Sequence, residues 1–180
     1  MAYLYYIDGY NVVHHSAELQ DLARVDLEAA RNALFDMVKQ FCSATTNEAK
    51  IVFDGPGRAV PAAAIPIGTD QRTEVAFSSG RLSADTVIER AVYASQNRRG
   101  IVVVSGDRGI RELCRALGAM VMSPRNFLDE VRQARRELKS TTQYLNESTD
   151  GIHRVEHRLN GSGIARLERV RKRLGRKTKE

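Results

Sequence analysis

Apolar and polar positions along the chain fall into blocks that repeat one pattern. Leu4, Tyr5, Tyr6 and Ile7 run straight into Asp8, Gly9 breaks the run, and Asn11 follows just past the break. A short continuous apolar run bounded by a turn signal predicts a strand buried in a parallel sheet. The pattern returns at residues 50–54 (KIVFD), stopped by Gly55-Pro56-Gly57, and at residues 101–107 (IVVVSGD), a β-branched run that again delivers an aspartate. Residues 73–79 (TEVAFSS) alternate well enough for a short strand, and residues 119–122 (AMVM) predict a fifth.

Helical spacing separates these runs. Leu22, Val25, Leu27, Leu34, Val38 and Phe41 predict one amphipathic helix over residues 22–44. Ser83 is a plausible N-cap for a helix through about Gln96, with Gly100 closing the segment, and residues 108–117 predict another, with Gly118 as its C′ residue. Pro124 opens a helix with Phe127, Leu128 and Val131 on its apolar face, grading into charge near Leu138. Residues 58–72 read as a loop, residues 140–163 as linker-like, and residues 164–177 as a basic, weakly amphipathic helix. Strands alternating with helices imply βαβ units, hence an α/β fold with a mostly parallel sheet of about five strands and helices on both faces. The expected division is a domain over residues 1–139 and a basic, partly flexible helical extension over residues 140–180.

Charge sharpens that division. The chain of 180 residues carries a net +6, but residues 1–124 hold 13 basic and 14 acidic side chains, against 15 and 8 in residues 125–180. A near-neutral body with a basic end suggests a polyanion held by the tail while the body does something else. Cys42 and Cys114 lie in apolar helical patterns without metal-ligand spacing, as reduced packing residues do. The N-terminal residues lack a secretory pattern, and no apolar stretch approaches the ~20 residues of a membrane helix. A soluble, cytoplasmic protein without membrane partners is expected.

The candidate chemistry is carboxylate chemistry. Asp8, Asp54 and Asp107 end strands, and Asp85 sits in the first turn of a helix following one. In a parallel sheet all four can meet at the carboxyl edge, where α/β proteins bind ligands. Two unit charges 4 Å apart repel by ~4 kcal/mol at an effective dielectric of 20, so such a cluster calls for protons or a metal. Hard oxygen donors favour Mg²⁺ or Mn²⁺, one or two ions, which would activate water for attack on a phosphodiester. Each aspartate also has a local reading: Asp8 and Asp54 as turn residues, Asp85 as a helix-dipole partner, Asp107 as an N-cap. The repetition of one acid at three strand ends favours the shared site.

Supporting residues follow. Glu89, at i+4 from Asp85, can face the same site. Ser105 and Asn11 could contact phosphate, orient water, or satisfy local turns. Arg72, Arg81 and Arg108 flank the acidic elements and could touch a substrate backbone, or be solvated charges. In the tail, Arg166, Arg169, Arg171, Lys172, Arg173, Arg176 and Lys177 suit phosphate contact without sequence reading. Two other signals are discounted. His153 to His157 fits the inverted zinc-protease motif H-x-x-E-H but lacks a third ligand and a packed surround, and His14-His15 reads as a surface pair.

Taken in order, IDGYNVV, VFDG, SADTVIER, VVSGDRGI and MSPRNFLDEV resemble the NYN domain, a branch of the PIN-like nucleases, and most closely its YacP-like bacterial group. The resemblance covers about residues 3–135. It implies a three-layer α/β/α, Rossmannoid fold and divalent-metal-dependent endoribonuclease activity. By matching, Asp8, Asp85 and Asp107 fall on the family's core acidic positions and Asn11 on its asparagine. Asp54 lies on VFDG, where members vary more. The group includes nucleases that cut mRNA in association with the ribosome, so RNA and the ribosome are the expected partners. The competing reading is a non-catalytic RNA- or ribosome-binding protein. A phosphatase with an aspartate nucleophile needs a second Asp two residues after the first, where this chain has Tyr10.

Overall fold

The computed structural model describes residues 2–55, 72–78 and 82–158, with side chains as far as residue 141. Five strands, β1 (Leu4–Asp8), β2 (Glu48–Phe53), β3 (Thr73–Phe77), β4 (Ile101–Val104) and β5 (Met120–Met122), form one sheet in the order β3-β2-β1-β4-β5. Every pairing is parallel. The earliest strand is thus the central one. Its register sets Asp8 opposite Val52 of β2 and Ile7 opposite Val104 of β4. With β2 on one side and β4 on the other, strand order reverses at β1, the kind of position at whose carboxyl edge open α/β sheets bind ligands.

Alternation divides the side chains between two faces. Tyr5, Ile7, Ile51, Phe53, Val102 and Val104 pack on one face against α1 (Gly9–His15), α2 (Ala17–Val25), α3 (Leu27–Thr45) and the start of α6 (Pro124–Arg158). Val52, Ile101 and Val103 pack on the other against α4 (Ala84–Ala94) and α5 (Arg108–Ala116). The architecture is three-layer α/β/α, as expected. The first face is fixed by aromatic contacts: Phe41 meets Tyr5 and Phe127 edge-on at 5.3 and 5.5 Å. The Tyr5 hydroxyl donates to Glu130 Oε2 at 3.3 Å, and burial with that carboxylate pushes its pKa above the usual tyrosine range.

The structure differs from the sequence expectations in three places. The predicted helix over 22–44 is two helices broken at Asp26, whose carboxylate accepts the N–H groups of Glu28 and Ala29 and so caps α3. The segment after Asp8 is itself a helix, α1, too short to show a periodic apolar face. Residues 140–158, read as linker-like, continue α6 through Gly151 to Arg158. Compact units divide the chain at Arg136 and Glu137. The first holds the sheet and buries Phe127, Leu128, Val131 and Ala134 of α6. In the second, Ser140 and Thr141 donate to the Glu137 carbonyl. Among the described residues no helix is long and apolar enough to cross a membrane. The predicted loop at 58–71, Arg81, and the basic tail with its predicted helix lie outside the described residues, as do the side chains of His153 and His157.

Candidate active site

Asp8 closes β1 on the α4/α5 face and is 6% exposed. Its Oδ1 accepts the Asn11 backbone N–H at 3.0 Å and its Oδ2 accepts Asn11 Nδ2 at 2.9 Å. The same Asn11 amide turns its Oδ1 to the N–H of Gly106 at 3.1 Å, 95 residues away. One side chain therefore locks the end of β1 to the loop after β4. Gly106 is required there: a Cβ would fall 2.3 Å from Asn11 Oδ1 and 3.0 Å from His15 Cε1. His15 Nδ1 lies 2.7 Å from the Asn11 carbonyl, which can only accept, so that nitrogen carries the proton.

Asp54 follows β2 and Asp107 follows β4 across Ser105 and Gly106, neither within a strand proper. Asp54 Oδ1 accepts the Ala84 N–H at 2.6 Å, and the Ser78 hydroxyl lies 3.4 Å away. Asp107 Oδ1 accepts the Ile110 N–H at 3.1 Å as N-cap of α5. Ser105 is fully buried and its Oγ accepts the Asp107 N–H at 3.1 Å, so it shapes the turn that presents Asp107.

Asp85 is different. Ser83 caps α4 through the Thr86 N–H, leaving Asp85 free in the first turn. Among the described residues its Oδ1 is buried without a hydrogen-bond partner. Burial first, and then the charges of Asp8, Asp107, Asp54 and Glu89, push its pKa up to about 6. Asp8, Asp54, Asp107 and Glu89 thus all act electrostatically on Asp85. The same field reaches Cys114, whose thiol is pushed up to about 11 by burial and then by Glu89 and Asp85.

The donor set fits a hard divalent cation. An anionic oxygen buried without a proton donor is stabilised by a cation, and every nearby donor is a carboxylate oxygen. Among the described residues no three acidic, histidine or cysteine side chains stand close enough to enclose an ion alone.

The flanking arginines divide. Arg108 pairs with Glu112 at 2.7 Å on the surface of α5, and Arg72 is exposed just before β3. His14 and His15 are both exposed. One residue that the spacing argument missed is Arg31 of α3, seated over the rings of Tyr10, Phe53 and Phe77. Its only sequence signal is a basic residue within an apolar helical pattern.

A parallel α/β/α sheet with acids gathered at the switch point of its carboxyl edge defines a PIN-like, nuclease-type domain. The chain belongs to the YacP-like NYN domain family, whose model matches residues 5–172. It is 29% identical over 134 residues to the uncharacterized protein YacP of Bacillus subtilis strain 168, covering 74% of this chain and 77% of that protein. The crystal structure of Rae1 (YacP) from Bacillus subtilis superposes with a TM-score of 0.69 at 26% identity, over 97% of this chain and 93% of that one. A tryptophan-to-leucine mutant of the same protein gives 0.66 at 26% identity, over 79% and 82%.

Proposed function

We propose that this protein is a divalent-metal-dependent endoribonuclease that hydrolyses RNA phosphodiester bonds, with mRNA on the ribosome as its setting. The observation that supports this best is Asp85: a buried, unpartnered carboxylate oxygen facing four further acids. That arrangement disfavours the fold by itself and becomes favourable around a cation. Asp8, Asp85 and Asp107 would surround Mg²⁺ or Mn²⁺, one or two of them bound directly and the rest through water, with Asp54 at the margin. When bound, the ion supplies Lewis acidity, neutralises charge at the phosphodiester and activates water.

The chain's own residues do the positioning. Asn11 fixes both oxygens of Asp8 and the Gly106 loop with one amide. Asp54 anchors the first turn of α4, and with it the Asp85 backbone. Asp85 holds a proton up to about pH 6 in the metal-free site. Glu89 adds negative potential one turn along. The preference for RNA over DNA rests on the family. Contact of the basic tail with RNA or ribosome is part of the same proposal. Truncation after residue 139 should flatten the salt dependence of binding by about 0.7 log units for each phosphate that the tail neutralises.

A second reading has its own support: Asp8, Asp54 and Asp107 each accept helix-start N–H groups, a role that needs no catalysis. Cleavage of a labelled mixed RNA pool with Mg²⁺ or Mn²⁺, with and without ribosomes, separates the two. Wild type should cut, while Asp8→Asn and Asp85→Asn should not. Binding without cleavage under every condition would establish the non-catalytic reading instead.

A further inference from the structure

The carboxyl edge carries a cationic feature on the face opposite the aspartates. Phe53 and Phe77 end β2 and β3 in register, with rings stacked at 5.7 Å. Tyr10 of α1 meets Phe53 edge-on at 5.1 Å. Over them lies the guanidinium of Arg31, its Cζ 5.4, 5.7 and 5.5 Å from the centroids of Tyr10, Phe53 and Phe77. Arg31 Nε donates to the Tyr10 hydroxyl at 3.0 Å, and Nη2 donates to the same oxygen.

This seat holds the guanidinium in place without cancelling its charge. Aromatic faces and a phenol attract a cation but carry no net charge of their own. Two of its five N–H groups are used on Tyr10, which leaves a fork available for an anion. None of the ion pairs Arg24–Asp21, Lys50–Glu74, Arg108–Glu112 and Arg132–Asp129 includes Arg31. A structural arginine inside a protein ordinarily finds a carboxylate, and here the aspartates of the edge stand on the other face of the strand ends. Phe53 and Asp54 are consecutive, so the seat and the acid cluster flank one edge of the sheet from opposite sides.

We propose that Arg31 is a phosphate clamp: its guanidinium pairs with a non-scissile phosphodiester of bound RNA and so registers the neighbouring phosphate over Asp8 and Asp85. Which phosphate is scissile rests on the nuclease reading above; the clamp itself does not need cleavage. The clamp also answers an electrostatic problem, since an edge lined by carboxylates repels a polyanion until a fixed cation holds the strand. Arginine suits this better than lysine because its planar fork matches two phosphate oxygens.

The test uses the full chain carrying Asp85→Asn, so that binding is read without cleavage. A fluorescent single-stranded RNA octamer is titrated by anisotropy at several KCl concentrations, in the Asp85→Asn protein alone and with Arg31→Met or Arg31→Lys added. Methionine keeps an aliphatic stem over the rings. Arg31→Met should bind about tenfold more weakly, as loss of one charge-assisted hydrogen bond implies. Its log–log salt slope should be shallower by about 0.7, one single-strand phosphate. Arg31→Lys should keep the slope and lose part of the affinity.

Octamers with one neutral methylphosphonate at each position supply a check on the protein that keeps Arg31. One position should cost about tenfold, and cost less with Arg31→Lys. A folded Arg31→Met that keeps both affinity and slope overturns the clamp. If Arg31→Met does not fold, the absence of any sensitive methylphosphonate position overturns it, and so does absence of RNA binding altogether. RNA that binds through Arg31 but is never cut by the Asp85 protein fells the nuclease reading and leaves the clamp standing.

Discussion

The Asp54 carboxylate accepts the backbone N–H of Ala84 at 2.6 Å, joining the end of β2 to the first turn of α4 one residue before Asp85. Asp54 thereby serves the site through backbone geometry as well as charge, and the two contributions separate by mutation. Asp54→Ala should cost about 1–2 kcal/mol, the loss of a helix-start acceptor, and should reduce cleavage. Asp54→Asn keeps an acceptor oxygen and should retain most of that stability. Calorimetry and a cleavage assay on both variants check this, and equal melting temperatures would refute the anchoring role.

The raised pKa of Asp85 has a sign that can be measured. Its folded value of about 6 lies above the ordinary 3.8, so the folded state prefers the protonated acid. Ionisation therefore destabilises the metal-free fold progressively as pH rises from about 4 through 6. Partial solvent screening reduces the full linkage value, leaving about 1–2 kcal/mol. In EDTA, Asp85→Asn should be more stable than wild type by that amount at pH 7.5 and equal to it at pH 4. Urea unfolding at both pH values reads the difference. Added Mg²⁺ should stabilise wild type more than the variant.

Asn11 and Gly106 should behave as a coupled pair. Gly106→Ala places a methyl 2.3 Å from Asn11 Oδ1, and must break the bridge or shift the loop. A loss of about 1–3 kcal/mol is expected, with cleavage falling because Asp8 and Asp107 lose their common tie. In an Asn11→Ala background the same change should cost less, giving a coupling energy of at least ~0.5 kcal/mol in a double-mutant cycle. Strict additivity would show that the bridge does not matter.

Phe127 is 0% exposed and closes the first face of the sheet with Phe41 and Tyr5. Phe127→Ala should cost about 3–5 kcal/mol, a deleted buried aromatic side chain plus its cavity. Chemical denaturation measures it. A cost below ~1 kcal/mol would mean that α6 is not part of the core.

Strands β1, β2 and β4 were legible because each is a short, largely apolar and buried run stopped by a glycine or a polar pair. Two features were not. The Asp26 break is one polar residue inside an otherwise periodic stretch, and period alone does not distinguish a cap from an exposed position. Arg31 was illegible for a different reason. Its setting is made by Tyr10, Phe53 and Phe77 from three other elements, and no local spacing encodes such a meeting. The roles of Asp8 and Asp107 show the opposite limit: the sequence suggested ligand or cap, and the geometry gives each a cap while leaving it beside Asp85.

The central strand is also the earliest in the chain, and that order has a consequence for synthesis. β1 gains one neighbour once β2 has emerged, but its other side stays open until residues 101–104 have been made. Asp107 arrives later still, so the acidic edge exists only in a molecule at least that long. Until β4 has been made the nascent chain carries an unpaired flank of β1, an open strand edge of the kind that pairs with other chains, and the order of the strands fixes how long that interval lasts.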